Sequence, residues 1–282
     1  MCGVVARMGP PARVSLTPAL RALADRGPDG EGTWHSADGR LHLGHTRLAV
    51  VARADNAQPA VAPGGTRASV LNGELYGWRA QAAALRALGE HPTGGDGGLL
   101  PALYAVHGDA LVHELRGEFA FAVADARGRR LVCARDRFGV KPLVWTVHEG
   151  ALLIASQARA LFALGLPRTL CPVSMGHALA HQYLPPDRTM FVGVHALAPG
   201  HRLVAWLDAE DALHVEISLW APMDWAPPGT ASPPTPSELL DALDTAVRLR
   251  LDSERPVGVH LGGGIDGAAV LALACRAVYA IN

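Results

Sequence analysis

Six prolines fall within the fifteen residues from Pro222 to Pro236, beside Gly229, Thr230 and Ser232. Each proline fixes its own φ and lacks the N–H that a helix interior or a central strand needs, so no packed element is expected to cross this stretch. An extended linker over residues 221–236 is the expectation. It divides the 282 residues into a first domain, residues 1–220, and a segment, residues 237–282, of about 45 residues. So short a piece cannot bury a core of ordinary size, and with the chain ending at Asn282 it reads as truncated.

The function classes narrow with composition. An apolar fraction of 49% excludes a disordered chain, and the lack of an 18-residue apolar run gives no membrane span. With 25 basic and 26 acidic residues, the formal net charge of -1 offers no overall basic footprint for nucleic acid or anionic membrane, which favours small-molecule chemistry. Met1 to Arg7 carries no charged region followed by an apolar one, so the expectation is no secretory signal and a cytoplasmic protein. Cys2, Cys133, Cys171 and Cys275 lie far apart with no C-x-x-C pair, supporting neither a zinc ribbon nor a dense disulfide framework. His177 and His181 are spaced i,i+4 but lack an intervening Glu and a third ligand, so no metal site is expected.

Up to about Trp220, short apolar runs alternate with turns. Thr17 is placed to cap a helix with Pro18 at its first position, Leu16, Leu20 and Leu23 on one face, and Gly27 as terminator. A second helix is expected over Arg79–Leu88, stopping at Gly89. Phe119–Asp125 and Leu131–Arg135 about Gly128, and Val144–Val147 and Leu152–Ala155 about Glu149-Gly150, read as hairpins. The result is a sheet-rich α+β domain. Beyond the prolines, Ser237 is placed to cap a helix, Val257–Leu261 reads as a buried strand, and Gly262-Gly263-Gly264-Ile265-Asp266-Gly267 is a glycine loop leading into a helix from Ala268 to about Tyr279.

Chemistry enters at Cys2. Met1 before a small residue is readily removed, leaving a cysteine with a free α-amine. The ordinary thiol pKa is about 8.5 and the α-amine about 7.7–8.0, so near neutral pH the amine is partly unprotonated and can take the thiol proton. Nucleophile and base then come from one residue.

Met1-Cys2-Gly3, Arg26-Gly27-Pro28-Asp29-Gly30, the segment Leu43–Val51 with Gly44-His45-Thr46-Arg47-Leu48-Ala49-Val50, Leu71-Asn72-Gly73-Glu74-Leu75-Tyr76, Thr93-Gly94-Gly95-Asp96 and Ala134–Leu143 occur in this order. Together they resemble the class II glutamine amidotransferase domain of the asparagine synthetase family, over about residues 1–215. The resemblance implies a four-layer αββα N-terminal nucleophile hydrolase fold with Cys2 as nucleophile. It implies Asn72, through its amide, and Gly73, through its N–H, as the oxyanion hole. Arg47 would hold the glutamine α-carboxylate, Glu74 and Asp96 would lie near its α-amino group, and Leu48 and Val50 would complete the substrate site. These residue types suit those tasks: a guanidinium binds a carboxylate through two hydrogen bonds, and two carboxylates suit an ammonium. Read alone, Asn72-Gly73 is a turn dipeptide, Arg47 a surface ion-pair residue and Asp96 a helix cap. Asp29, Arg135, Asp136 and Lys141 are expected to serve the framework.

The same family carries a second, ATP pyrophosphatase-type domain with a Ser-Gly-Gly-x-Asp-Ser loop. Here Gly262 and Gly267 stand at the serine positions, flanking Gly263, Gly264 and Asp266, so both hydroxyls are gone. The second segment is therefore expected to be a short α-β-α remnant without synthetase activity of its own. Glutaminase chemistry needs no cofactor; ATP and Mg would matter only with a synthetase partner or an intact second domain. A separate synthetase chain and a homodimer are the partners considered, and an ammonia-supplying or non-catalytic subunit, or a specialised Cys-dependent amide hydrolase or acyl transferase, are the alternatives.

Overall fold

The computed structural model describes residues 1–51, 56–223 and 232–279. Two compact units are present: Met1–Ala49 with Ala54–Pro222, and Val50–Arg53 with Met223–Asn282. In the first unit the strands are β1 (Gly3–Met8), β2 (Gly30–His35), β3 (Leu41–Arg47), β4 (Ala60–Val61), β5 (Arg67–Leu75), β6 (Gly117–Asp125), β7 (Arg130–Arg135), β8 (Val144–His148), β9 (Ala151–Ala155), β10 (His195–Ala196), β11 (His201–Leu207) and β12 (Leu213–Leu219). Its helices are α1 (Thr17–Ala22), α2 (Trp78–Ala87), α3 (Leu100–His107), α4 (Ala158–Ala163) and α5 (Pro172–His181).

The strands form two antiparallel six-stranded sheets, ordered β10-β8-β9-β1-β3-β2 and β12-β11-β7-β6-β5-β4. Strand alternation sends Val4, Ala6 and Met8 to one face of β1 and Val5 to the other. The first face meets Ala68, Val70, Ala120 and Ala122 of the second sheet in a core rich in alanine. Val5 packs outward with Leu20, Leu23 and Leu161 of the α1 and α4 region, while Leu71, Phe119 and Phe121 pack outward against Leu85 of α2 and Leu103 of α3. Helix, sheet, sheet and helix are thus four layers, the architecture expected from the sequence.

Local chemistry explains the elements. Glu149 and Gly150 both take positive φ, 50° and 73°, and close the β8–β9 hairpin. Thr17 is the first residue of α1 rather than its cap; Leu16 takes the cap position without a side-chain bond, and Ser15 Oγ accepts the Thr17 N–H at 3.3 Å. A short 3₁₀ turn, Ala24–Arg26, follows before Gly27.

The second unit contains α6 (Pro236–Arg250) and α7 (Ile265–Tyr279). Of the expected linker, residues 224–231, with Pro227, Pro228, Gly229 and Thr230, lie outside the described residues. Thr235, not Ser237, caps α6: its hydroxyl accepts the Glu238 N–H at 3.2 Å while Glu238 accepts the Thr235 N–H at 2.8 Å. Val257–Leu261 pairs with no strand among the described residues, and Val257 and Leu261 are 51% and 58% exposed. The run has strand composition but no neighbour to complete its backbone hydrogen bonds, which corrects the expected buried strand.

Candidate active site

Cys2 directly precedes β1, whose first residue must be small. A Cβ on Gly3 would lie 2.4 Å from Thr46 Oγ1 and 2.9 Å from Leu23 Cβ. Gly27 is constrained likewise, its Cβ meeting the Thr46 carbonyl carbon at 2.3 Å. This close packing brings the segment after β3 to the sulfur. Cys2 Sγ accepts the Leu48 N–H at 3.4 Å and lies 3.8 Å from the Leu48 carbonyl oxygen. Asp29 fixes that segment, its N–H donating to the Arg47 carbonyl at 2.9 Å and its carboxylate accepting the Ala49 N–H at 2.8 Å. Arg26 Nε donates to the Cys2 carbonyl oxygen at 2.9 Å. The Arg26–Gly30 motif is therefore the mount on which the surroundings of Cys2 are built.

Burial pushes the Cys2 thiol above its ordinary value, and the negative charges of Glu74 and Asp96 add to this; the Leu48 hydrogen bond and the positive amino terminus act the other way. The group rests as a thiol at neutral pH and needs a base. The amino terminus, carried by Met1, is held below its ordinary value chiefly by burial, with the charges of Arg26 and Lys141 assisting.

The second sheet supplies β5. Asn72 is 1% exposed, faces the space between the sheets, and neither its Nδ2 nor its Oδ1 has a hydrogen-bond partner among the described residues. A buried amide left so costs about 1–3 kcal/mol unless a ligand completes it. Gly73 has φ 149°, and a Cβ there would lie 2.1 Å from the Glu118 carbonyl oxygen across the β5–β6 ladder. Glu118 in turn accepts the Tyr76 hydroxyl at 2.6 Å and pairs with Lys141 at 3.4 Å. Asp96, 2% exposed, opens a 3₁₀ turn, and its carboxylate accepts from Asn56 Nδ2 at 2.8 Å, Leu75 N–H at 3.0 Å and Gly97 N–H at 2.9 Å. Burial still pushes its carboxyl above the ordinary range.

His45, on β3, ties the two sheets together. Its Nε2 donates to the carbonyl oxygen of Leu71, the residue before Asn72, at 3.0 Å. Burial lowers its pKa to about 4, so the ring is neutral.

Leu48, Glu74 and Asp96 are thus each brought within reach of Cys2, with half-buried Arg47 ending β3 one residue before Leu48. Val50 is half-buried and groups with the second unit. Arg26, His45 and Asn56 are parts of the site that sequence reasoning did not single out. Arg26 and His45 lie inside motifs read for other residues, whereas nothing in the sequence around Asn56 announces its bond to Asp96, forty positions away. The framework residues are clearly so placed: Asp136 accepts four backbone N–H groups, and Arg135 donates to the carbonyls of Lys141, Leu197 and Gly139. His177 and His181 adjoin on α5 with ring centroids 4.5 Å apart and planes tilted by 46°.

In the second unit, Gly262, Gly263 and Gly264 are exposed, and a Cβ on any of them would meet nothing within 4 Å. Asp266 and Gly267 lie in the first turn of α7. The adjoining cleft, of about 420 Å³, is lined largely by apolar residues such as Val247, Val257, Val259 and Val270.

A family model described as a glutamine amidotransferase domain matches residues 1–215. The chain belongs to that family of enzymes. A second model, asparagine synthase, matches residues 238–279. Among similar proteins are an amidase, chry2, of Gibberella zeae, 33% identical over 90% of this chain and 38% of its own length, and glutamine-hydrolysing asparagine synthetase 1 of Bacillus subtilis, 26% identical over 89% of this chain and 39% of its own. The chain spans about two fifths of the length of these relatives. Among solved structures, the glutamine phosphoribosylpyrophosphate amidotransferase of B. subtilis, complexed with ADP and GMP, superposes with a TM-score of 0.55 at 16% identity, over 98% of this chain and 64% of the other. The fold is that of the N-terminal nucleophile glutamine amidotransferases.

Proposed function

We propose that the chain hydrolyses the side-chain amide of glutamine at Cys2. After removal of Met1, the α-amine of Cys2 takes the thiol proton as Sγ attacks the amide carbon. Asn72 Nδ2 and the Gly73 N–H receive the developing oxyanion. The amine then passes its proton to the leaving nitrogen, ammonia departs, and a glutamyl thioester remains. Water, deprotonated by the same amine, attacks the thioester and frees glutamate and the thiol. Arg47 holds the α-carboxylate, Glu74 and Asp96 the α-ammonium, and Leu48 flanks the substrate.

The observation that carries this reading is the buried, unpartnered amide of Asn72 beside Gly73, on the strand facing the sheet that Cys2 begins. Glutamate release by the purified chain and by Cys2→Ala tests it; turnover above background in the variant removes Cys2 from the mechanism.

We infer no nucleotide step for the glycine loop. Both hydroxyl positions are glycine and the loop is open where a cradle would be closed, so ATP and Mg belong only to a synthetase partner or a longer second domain. The ammonia would then be spent as glutaminase product or delivered to such a partner. A second reading keeps Cys2 and changes the acyl donor, as the name of the G. zeae relative suggests. Comparing glutamine with simple amides lacking the α-carboxylate separates the two, because Arg47 has a task only with the former.

A further inference from the structure

A cleft of about 800 Å³ lies between the segment at residues 11–15 and the turn at residues 35–39. Five residues of extended chain place Arg7 about 17 Å from the nucleophile. Arg7 and His42 are cross-strand partners, and their side chains share the helix-side face of the first sheet with Val5.

Arg7 is 7% exposed. Its Nη2 donates to the Pro10 carbonyl at 3.1 Å, its Nη1 has no partner, and no carboxylate pairs with it among the described residues. His42, on the cleft wall, is 5% exposed and its Nδ1 has no partner. Arg13 lines the mouth, and the His35 ring lies 6.0 Å from that of His42 with its Nδ1 donating to the Ser36 carbonyl. Asp38 is the one carboxylate on the lining among the described residues, and it is already held by Arg40 at 3.0 Å and by the Ser36 hydroxyl. A buried cation without a counter-ion and a buried imidazole without a partner both cost free energy; His42 lines the open cleft, and Arg7 is its cross-strand neighbour.

We propose that this cleft binds a small molecule bearing a carboxylate or a phosphate, with Arg13 and His42 contacting the anion and Arg7 supplying charge from behind the wall. With its proton on Nδ1, the neutral His42 ring donates to one oxygen of the anion while the Arg13 guanidinium donates to the others. Burial, with the charges of Arg7 and His35, lowers the His42 pKa to about 4, so the neutral ring is the form that meets the anion.

The test is a titration of the full chain, labelled at its histidine rings, with inorganic phosphate and separately with malonate, followed by NMR. His42→Asn assigns the His42 signal. Saturable shifts of the His42 and His35 rings, weakened about tenfold or more by the exposed Arg13→Glu, are the expected result. Preference for phosphate would mark a phosphorylated ligand, and preference for malonate a carboxylic acid. Shifts that never saturate, shifts confined to other histidines, or unchanged affinity in Arg13→Glu would overturn the proposal.

Discussion

Asn72 is the residue whose state most needs a ligand. Its amide makes no hydrogen bond among the described residues, so Asn72→Ala is expected to leave thermal stability nearly unchanged while lowering kcat about 10²–10³-fold, or about 3–4 kcal/mol of transition-state stabilisation. Parallel melting curves and glutamine kinetics check this; a large loss of stability with normal kcat would make Asn72 a packing residue. His45 carries a pH prediction. Its folded pKa is about 4 against an ordinary 6.5, so between these values the unfolded chain takes up a proton that the folded chain refuses. Its contribution is complete above 6.5 and declines as pH falls towards 4, with a slope approaching about 1.4 kcal/mol per pH unit. Urea midpoints at about pH 7 and about pH 4.5 should therefore converge in His45→Gln relative to the unmodified chain. The roles proposed for Cys2, Arg47 and Asn72 rest on short local motifs that a sequence displays directly. Asn56 is not legible in this way, because it reaches Asp96 only through the tertiary fold.

Elements were legible wherever one segment determines itself. The β8–β9 turn needs two positive φ values, and Glu149-Gly150 announces them; the Arg79–Leu88 helix ends where Gly89 takes φ 84°. Val257–Leu261 fails for the opposite reason, since a strand exists only with a neighbour. The cap of α6 lies two residues before Ser237 because Thr235 and Glu238 form the reciprocal pair that a capping box requires. Thr235→Ala should cost about 1 kcal/mol at that end, seen as about fivefold faster hydrogen exchange of the first-turn amides of α6. In the second sheet, Gly73→Ala would strain φ and drive a methyl into the Glu118 carbonyl. A loss of about 3 kcal/mol or more in urea unfolding is expected; an unchanged midpoint would show that β5 and β6 separate freely there.

At the scale of the whole molecule, the ordered motifs foretold the layered fold because each motif sits where the two sheets converge on Cys2. The cleft behind Arg7 and His42 was invisible, because it is made by the juxtaposition of a loop and a turn that carry no motif. Asp266→Asn, in the second unit, is expected to leave glutaminase turnover unchanged with or without ATP; an ATP-dependent loss would give the glycine loop a nucleotide role. The most direct test of the central claim joins intact mass to turnover: whether the purified chain has lost Met1, and whether it releases glutamate from glutamine without ATP. A processed chain with ATP-independent release that vanishes in Cys2→Ala is the predicted result. Turnover by a chain that retains Met1, or a processed chain that releases no glutamate, would contradict it.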